Sequence, residues 1–125
     1  MRNNSLKNES LKDKITKDFP EIYSDCFDFS IGEGWYKIVY DLTEAISKID
    51  KNVKVLQVKE KFALLRFYIS IPKAETVDEI YVLIRKAMDE SSKTCEFCGT
   101  KKNVAKEGEF WIKTLCNKCR EEIGK

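Results

Sequence analysis

The sequence predicts an α+β fold: a small antiparallel sheet in strand-helix-strand-strand-helix order, packed by two helices and followed by a C-terminal metal finger. Three observations carry this. Apolar residues alternate with period two over three short segments, and recur at spacings of three and four over two longer ones. A double Cys-x₂-Cys pattern then closes a chain that contains no histidine.

The first 18 residues are polar, with Leu11, Ile15 and Phe19 four apart, which predicts an arm or frayed helix over 1–18. Pro20 ends it, because the residue before a proline is pushed out of helical space. In CFDFSI, Phe27, Phe29 and Ile31 share one face, so a short half-buried strand is expected. The GEG that follows, Gly32 to Gly34, reads as a helix-opening turn; as a phosphate loop it lacks a third glycine and a Walker lysine. Trp35, Ile38, Val39, Leu42, Ala45, Ile46 and Ile49 then form one stripe of a helix over about 34–50.

NVKVLQV and FALLRFYISI are rich in β-branched and aromatic residues and predict a hairpin turning at Lys59–Lys61. Ala63, Leu65, Phe67, Ile69 and Ile71 would face the core, while Phe62, Leu64, Arg66, Tyr68 and Ser70 point away. A second helix is expected from Thr76, with Glu79 completing a capping box. Its stripe is Val77, Ile80, Tyr81, Ile84, Ala87 and Met88, ending near Ser91. The body therefore spans 19–92 and the finger 93–125. The order resembles a ferredoxin-like layout whose last strand FWIKTL would supply.

Cys95-x₂-Cys98 and Cys116-x₂-Cys119 are separated by seventeen residues. Two such knuckles supply the four soft ligands of a tetrahedral zinc ion. A thioredoxin-like site needs only one pair, and paired disulfides need an oxidising compartment. An iron centre uses the same ligands, so spacing leaves zinc and iron open. Four thiolates close the coordination sphere, which makes structural Zn²⁺ the expected cofactor and a hydrolytic metal unexpected. Gly99 suits the turn after the first knuckle, and CREEIG would open a helix in treble-clef fashion. Cys26 stands apart and reads as a small apolar residue beside the first strand.

Charge bounds the partner. Residues 1–92 hold 15 basic and 16 acidic residues, and residues 93–125 hold 8 and 5, giving −1 and +3. Four thiolates and one Zn²⁺ lower the tail to about +1, so no strongly basic nucleic-acid footprint remains. No apolar run reaches the ~18 residues of a membrane span, and MRNNSLKNESLKDK lacks an apolar signal core. A reducing cytoplasm is the expected compartment. Without histidine, Ser-His-Asp and Cys-His catalysis are excluded, and the chain is expected not to be an enzyme.

The candidate partner surface is Phe62, Arg66 and Tyr68, because aromatic-plus-arginine clusters suit protein interfaces and stacked bases alike. The alternative is that the second helix or the finger covers this face. Trp111, and Trp35 with it, are further candidates for display, Trp111 otherwise gluing finger to body. A nucleic-acid reading would use Lys101, Lys102, Lys106, Lys113, Lys118 and Arg120. The oligomeric state is not encoded in any of these patterns.

GEGWYKIVYDL, QVKEKFALLRFYIS, TCEFCG and WIKTLCNKC, in this order from Gly32 to Cys119, resemble a group of small proteins encoded by phages and prophages. These share a Gly-Trp-Tyr start to a helix, a Val-Lys-Glu-Lys-Phe hairpin leading into Leu-Arg-Phe-Tyr, and a terminal cysteine-rich finger. Here Ala63 and Leu64 stand where a glycine is expected. The resemblance transfers no activity. It implies a phage-type accessory protein whose partner is a host enzyme, a defence complex or phage machinery, with inhibition by occlusion as the natural mechanism.

Overall fold

A computed structural model describes residues 11–108 and 112–123. The chain is α+β. Helix α1 (Leu11–Asp18) leads to strand β1 (Asp28–Ser30), a 3-10 turn (Glu33–Trp35) and helix α2 (Tyr36–Ile49). Strands β2 (Lys54–Lys61) and β3 (Leu64–Ser70) follow, then a second 3-10 turn (Ala74–Thr76) and helix α3 (Val77–Ser91). The last third holds β4 (Val104–Glu107), β5 (Lys113–Cys116) and α4 (Asn117–Ile123).

The three-stranded sheet has order β1-β2-β3, and it is mixed where an antiparallel sheet was expected. β2 and β3 are antiparallel, but β1 runs parallel to β2, with Phe29 opposite Val58. The reason is that α2 is the connection between β1 and β2, and a helical crossover returns the chain in the same direction. The expected ferredoxin-like closure also fails. Lys113–Cys116 pairs with β4 in a separate two-stranded sheet, because its register with Val104–Glu107 places Cys116 among the other cysteines.

One apolar core fills the body. Trp35, Val39 and Ile46 of the Trp35–Ile49 stripe cluster with Val53 just ahead of β2, with Val55, Val58 and Leu65 of the sheet and with Ile80 of α3, each essentially fully buried. Ile15 is also fully enclosed in this core, so α1 packs as part of the body, while the rest of the expected arm, residues 1–10, lies outside the described residues. The Tyr40 hydroxyl donates to Asp18 at 2.6 Å, and Phe19 packs against the Tyr40 ring. Cys26 packs half-buried against the core, and burial pushes its thiol up. The Thr76 capping box does not form: its hydroxyl turns back to Lys73 O at 2.9 Å, since a 3-10 turn precedes α3. Tyr81 of the expected stripe is exposed, and Leu83 packs in its place.

The hairpin turn is displaced from Lys59–Lys61 to Phe62–Ala63. The strand continues through Lys61, which pairs with Leu64. Phe62 and Ala63 both adopt positive φ, +56° and +65°, the conformation of a two-residue type I′ turn. Neither residue favours this region, at about 1–2 kcal/mol each. Two tethers hold it: Glu60 accepts from Ala63 N at 2.9 Å, and Ala63 O accepts from the Thr114 hydroxyl at 2.7 Å.

Candidate metal centre

Each cysteine reaches the centre through local backbone geometry. After Cys95 the chain reverses tightly, Gly99 N donating to Cys95 O at 2.9 Å and Cys95 N to Thr100 O at 2.8 Å. Gly99 supports this turn at φ +86°, where a side chain would be strained. The amide of Cys98 points at Cys95 Sγ (3.5 Å), and the amide of Cys119 points at Cys116 Sγ (3.4 Å). The two pairs thus repeat one motif, the first in a loop and the second where β5 passes into α4.

The four Sγ atoms lie within 4.8 Å of one another, and those of Cys98 and Cys116 are 3.9 Å apart. A tetrahedron with zinc–sulfur bonds of about 2.3 Å has edges of about 3.8 Å, so this set can close on one ion. The electrostatics fit too. Burial opposes the Cys95 thiolate, but amides of Cys98, Cys116 and Phe97 outweigh it and bring the thiol to about 7. Cys119 is raised, by burial first and then by the sulfurs of Cys116, Cys98 and Cys95. Cys98 is raised as well, so all four would lose their protons together only around a cation, which the set can hold.

The finger is bolted to the body through backbone atoms. Gly34 N donates to Glu96 O at 2.8 Å, and Gly32 N donates to the Glu96 carboxylate at 3.0 Å. A Cβ on Gly34 would sit 2.1 Å from Cys95 O and 2.5 Å from Gly99 N; one on Gly32 would sit 2.3 Å from Glu96 O. GEG is therefore more than a helix-opening turn: it lets the body approach the first knuckle at backbone distance. Trp35, far from being displayed, is fully buried and donates from Nε1 to Thr94 O at 2.9 Å. Glu96 N donates to Thr114 O, tying the knuckle to β5. Lys113 lies between Glu96 (3.0 Å) and Glu60 (3.6 Å) at the same junction. Nothing in the residue pattern marks Glu96, Thr114 or the two glycines as docking residues.

Half of the candidate cations of the finger are engaged within the protein. Lys101 pairs with Glu90 at 2.9 Å. Arg120 donates to the carbonyls of Ala105, Leu115, Lys113 and Glu107, stapling α4 to the β4–β5 hairpin. Lys102, Lys106 and Lys118 are exposed. Trp111 lies outside the described residues. No described helix is long and apolar enough to cross a membrane.

Among the described residues, no element covers the sheet face opposite the core. Phe62 is 71% and Tyr68 45% exposed, and neither α3 nor the finger covers them. Arg66 lies beside them, directly opposite Lys59 on β2. No protein-family model, curated protein or solved structure matches the chain.

Proposed function

We propose that the chain is a non-catalytic interaction protein in which Cys95, Cys98, Cys116 and Cys119 hold a structural Zn²⁺ in a treble-clef-like finger. Phe62, Arg66 and Tyr68 on the open sheet face are its protein-binding surface. The observation that carries this is the division of labour in the molecule. The four cysteines, Cys95, Cys116 and Cys119 buried and Cys98 at the surface, can fill a metal's coordination sphere and leave no open position for chemistry, whereas the aromatic-arginine face is left uncovered by every described element. A phage accessory protein acting in the bacterial cytoplasm, and blocking a host or defence complex by occlusion, agrees with the motif order noted above. The nucleic-acid reading through the finger is the weaker one, since Lys101, Lys113 and Arg120 are engaged internally.

Affinity capture from bacterial lysate tests the surface, with the wild type and Tyr68→Ala compared side by side and metal content measured on both. One zinc per chain and a protein retained only by the wild type are expected. Equal retention by the two proteins, both folded and metallated, would remove the assignment.

A further inference from the structure

We infer that this same sheet face receives carboxylate side chains of an acidic protein segment, held by Arg66, Lys59 and Lys61. The inference rests on the reading of the face as a protein-binding surface and adds the chemistry of what binds there.

Register places the cations. Gln57 lies opposite Tyr68, Lys59 opposite Arg66 and Lys61 opposite Leu64, all on the face away from the core, since the intervening Val58 and Phe67 are buried. Lys59 and Arg66 are thus a like-charge pair directly across two strands, an arrangement that weakens a sheet. Among the described residues no carboxylate pairs with Lys59, Lys61 or Arg66. The nearest acid in register, Asp28, accepts from Ser30 and Gln57 and feels the charge of Lys59 without forming an ion pair with it, and it is two strands from Arg66.

Arg66 adds an independent sign. Its Nε is buried and donates to nothing among the described residues. A guanidinium offers a planar fork of donors that a carboxylate matches with two parallel bonds. A repelling pair with an unsatisfied buried donor is the arrangement expected where an anion from outside completes the site.

The surroundings favour a protein carboxylate over a nucleic-acid backbone. The patch holds three cations, and of the finger's cations Lys113 and Arg120 are engaged internally. Exposed rings lie within it: Phe62 at the hairpin tip and Tyr68 beside Arg66. Phe62 keeps its exposed ring on a residue of positive φ, and Lys61 Nζ lies 5.6 Å from the ring centroid. Aromatic and arginine anchors around a small charged centre are the composition of protein hot spots.

The test uses the full, zinc-loaded, ¹⁵N-labelled chain titrated with a blocked hexaglutamate peptide at constant ionic strength, with dT12 as comparator. The Arg66 Nε–H resonance and the Lys59 and Tyr68 amides are read. Saturable shifts are expected with hexaglutamate, weakened at least about tenfold in Arg66→Gln and partly restored in Arg66→Lys. Lys59→Glu is expected to raise the thermal midpoint, by converting repulsion to attraction, while abolishing the titration. No shift with hexaglutamate, tighter binding of dT12 on this face, or a Lys59→Glu protein that still binds would each overturn the inference. Lysate capture that needs Tyr68 but ignores Lys59→Glu would remove the carboxylate and leave the surface itself in place.

Discussion

Replacing Gly34 by alanine probes the joint between finger and body more sharply than any cysteine substitution, because it leaves all four ligands in place. The added Cβ would meet Cys95 O at 2.1 Å, Gly99 N at 2.5 Å and Glu96 O at 2.7 Å, all backbone atoms of a tight turn that cannot swing aside. Overpacking of this kind costs about 1–3 kcal/mol. Separating the two backbones also breaks the bond from Gly34 N to Glu96 O and strains that from Trp35 Nε1 to Thr94 O, at about 1 kcal/mol each. The expected loss is roughly 3–5 kcal/mol, or on the order of 10–20 °C in melting temperature for a chain of this size.

Gly99→Ala is the informative comparison. Its Cβ would approach Gly34 O only to 3.3 Å, and its φ of +86° costs about 1–2 kcal/mol. Glu33→Ala, at an exposed position between the glycines, is expected to stay within about 0.5 kcal/mol of wild type. The assay is denaturant unfolding of the zinc-loaded proteins, with zinc affinity measured by competition against a chromophoric chelator. Gly34→Ala is expected to be the least stable and to bind zinc more weakly, since docking and metal binding are linked. A Gly34→Ala protein matching Glu33→Ala in both measurements would refute the backbone-contact reasoning.

Two further predictions follow from the same geometry. Metal removal should be felt in the body as well as in the finger, because Thr94, which accepts from Trp35, immediately precedes Cys95. In a Trp111→Phe background, chelation is expected to red-shift Trp35 emission, and an unchanged spectrum after verified metal loss would contradict the coupling. The Tyr40 and Lys14 hydrogen bonds hold the Asp18 carboxyl below its ordinary value. Its contribution is therefore present above about pH 4 and lost as pH falls through the lower folded-state value. Tyr40→Phe is expected to flatten that part of the stability–pH curve, and an identical slope in both proteins would refute the assignment.

The legible parts of this protein are those in which neighbours along the chain decide the outcome. The x₂ spacing of Cys95/Cys98 and Cys116/Cys119 fixes which sulfurs meet, because an amide two or three residues on must turn toward each ligand. The stripe from Trp35 to Ile49 and the alternation from Leu65 to Ile69 declared their buried faces because helix and strand repeat at fixed periods. The turn was misplaced by that same logic: Lys59–Lys61 looks like a polar break, and nothing about Phe62 and Ala63 advertises positive φ. Their conformation is set from 51 residues away, where Thr114 holds Ala63 O.

Sequence alone therefore determined the cysteine cluster, the helical and strand faces and the α+β class, all products of short-range geometry and periodic burial. Only the tertiary structure decided that β1 is parallel, that Gly32 and Gly34 seat the Glu96 knuckle, and that Lys59 faces Arg66 on an open surface. These depend on backbone atoms meeting far apart along the chain, as Gly34 N meets Glu96 O, and on strand register. Contacts between backbones carry no side-chain signature, so packing had to reveal them.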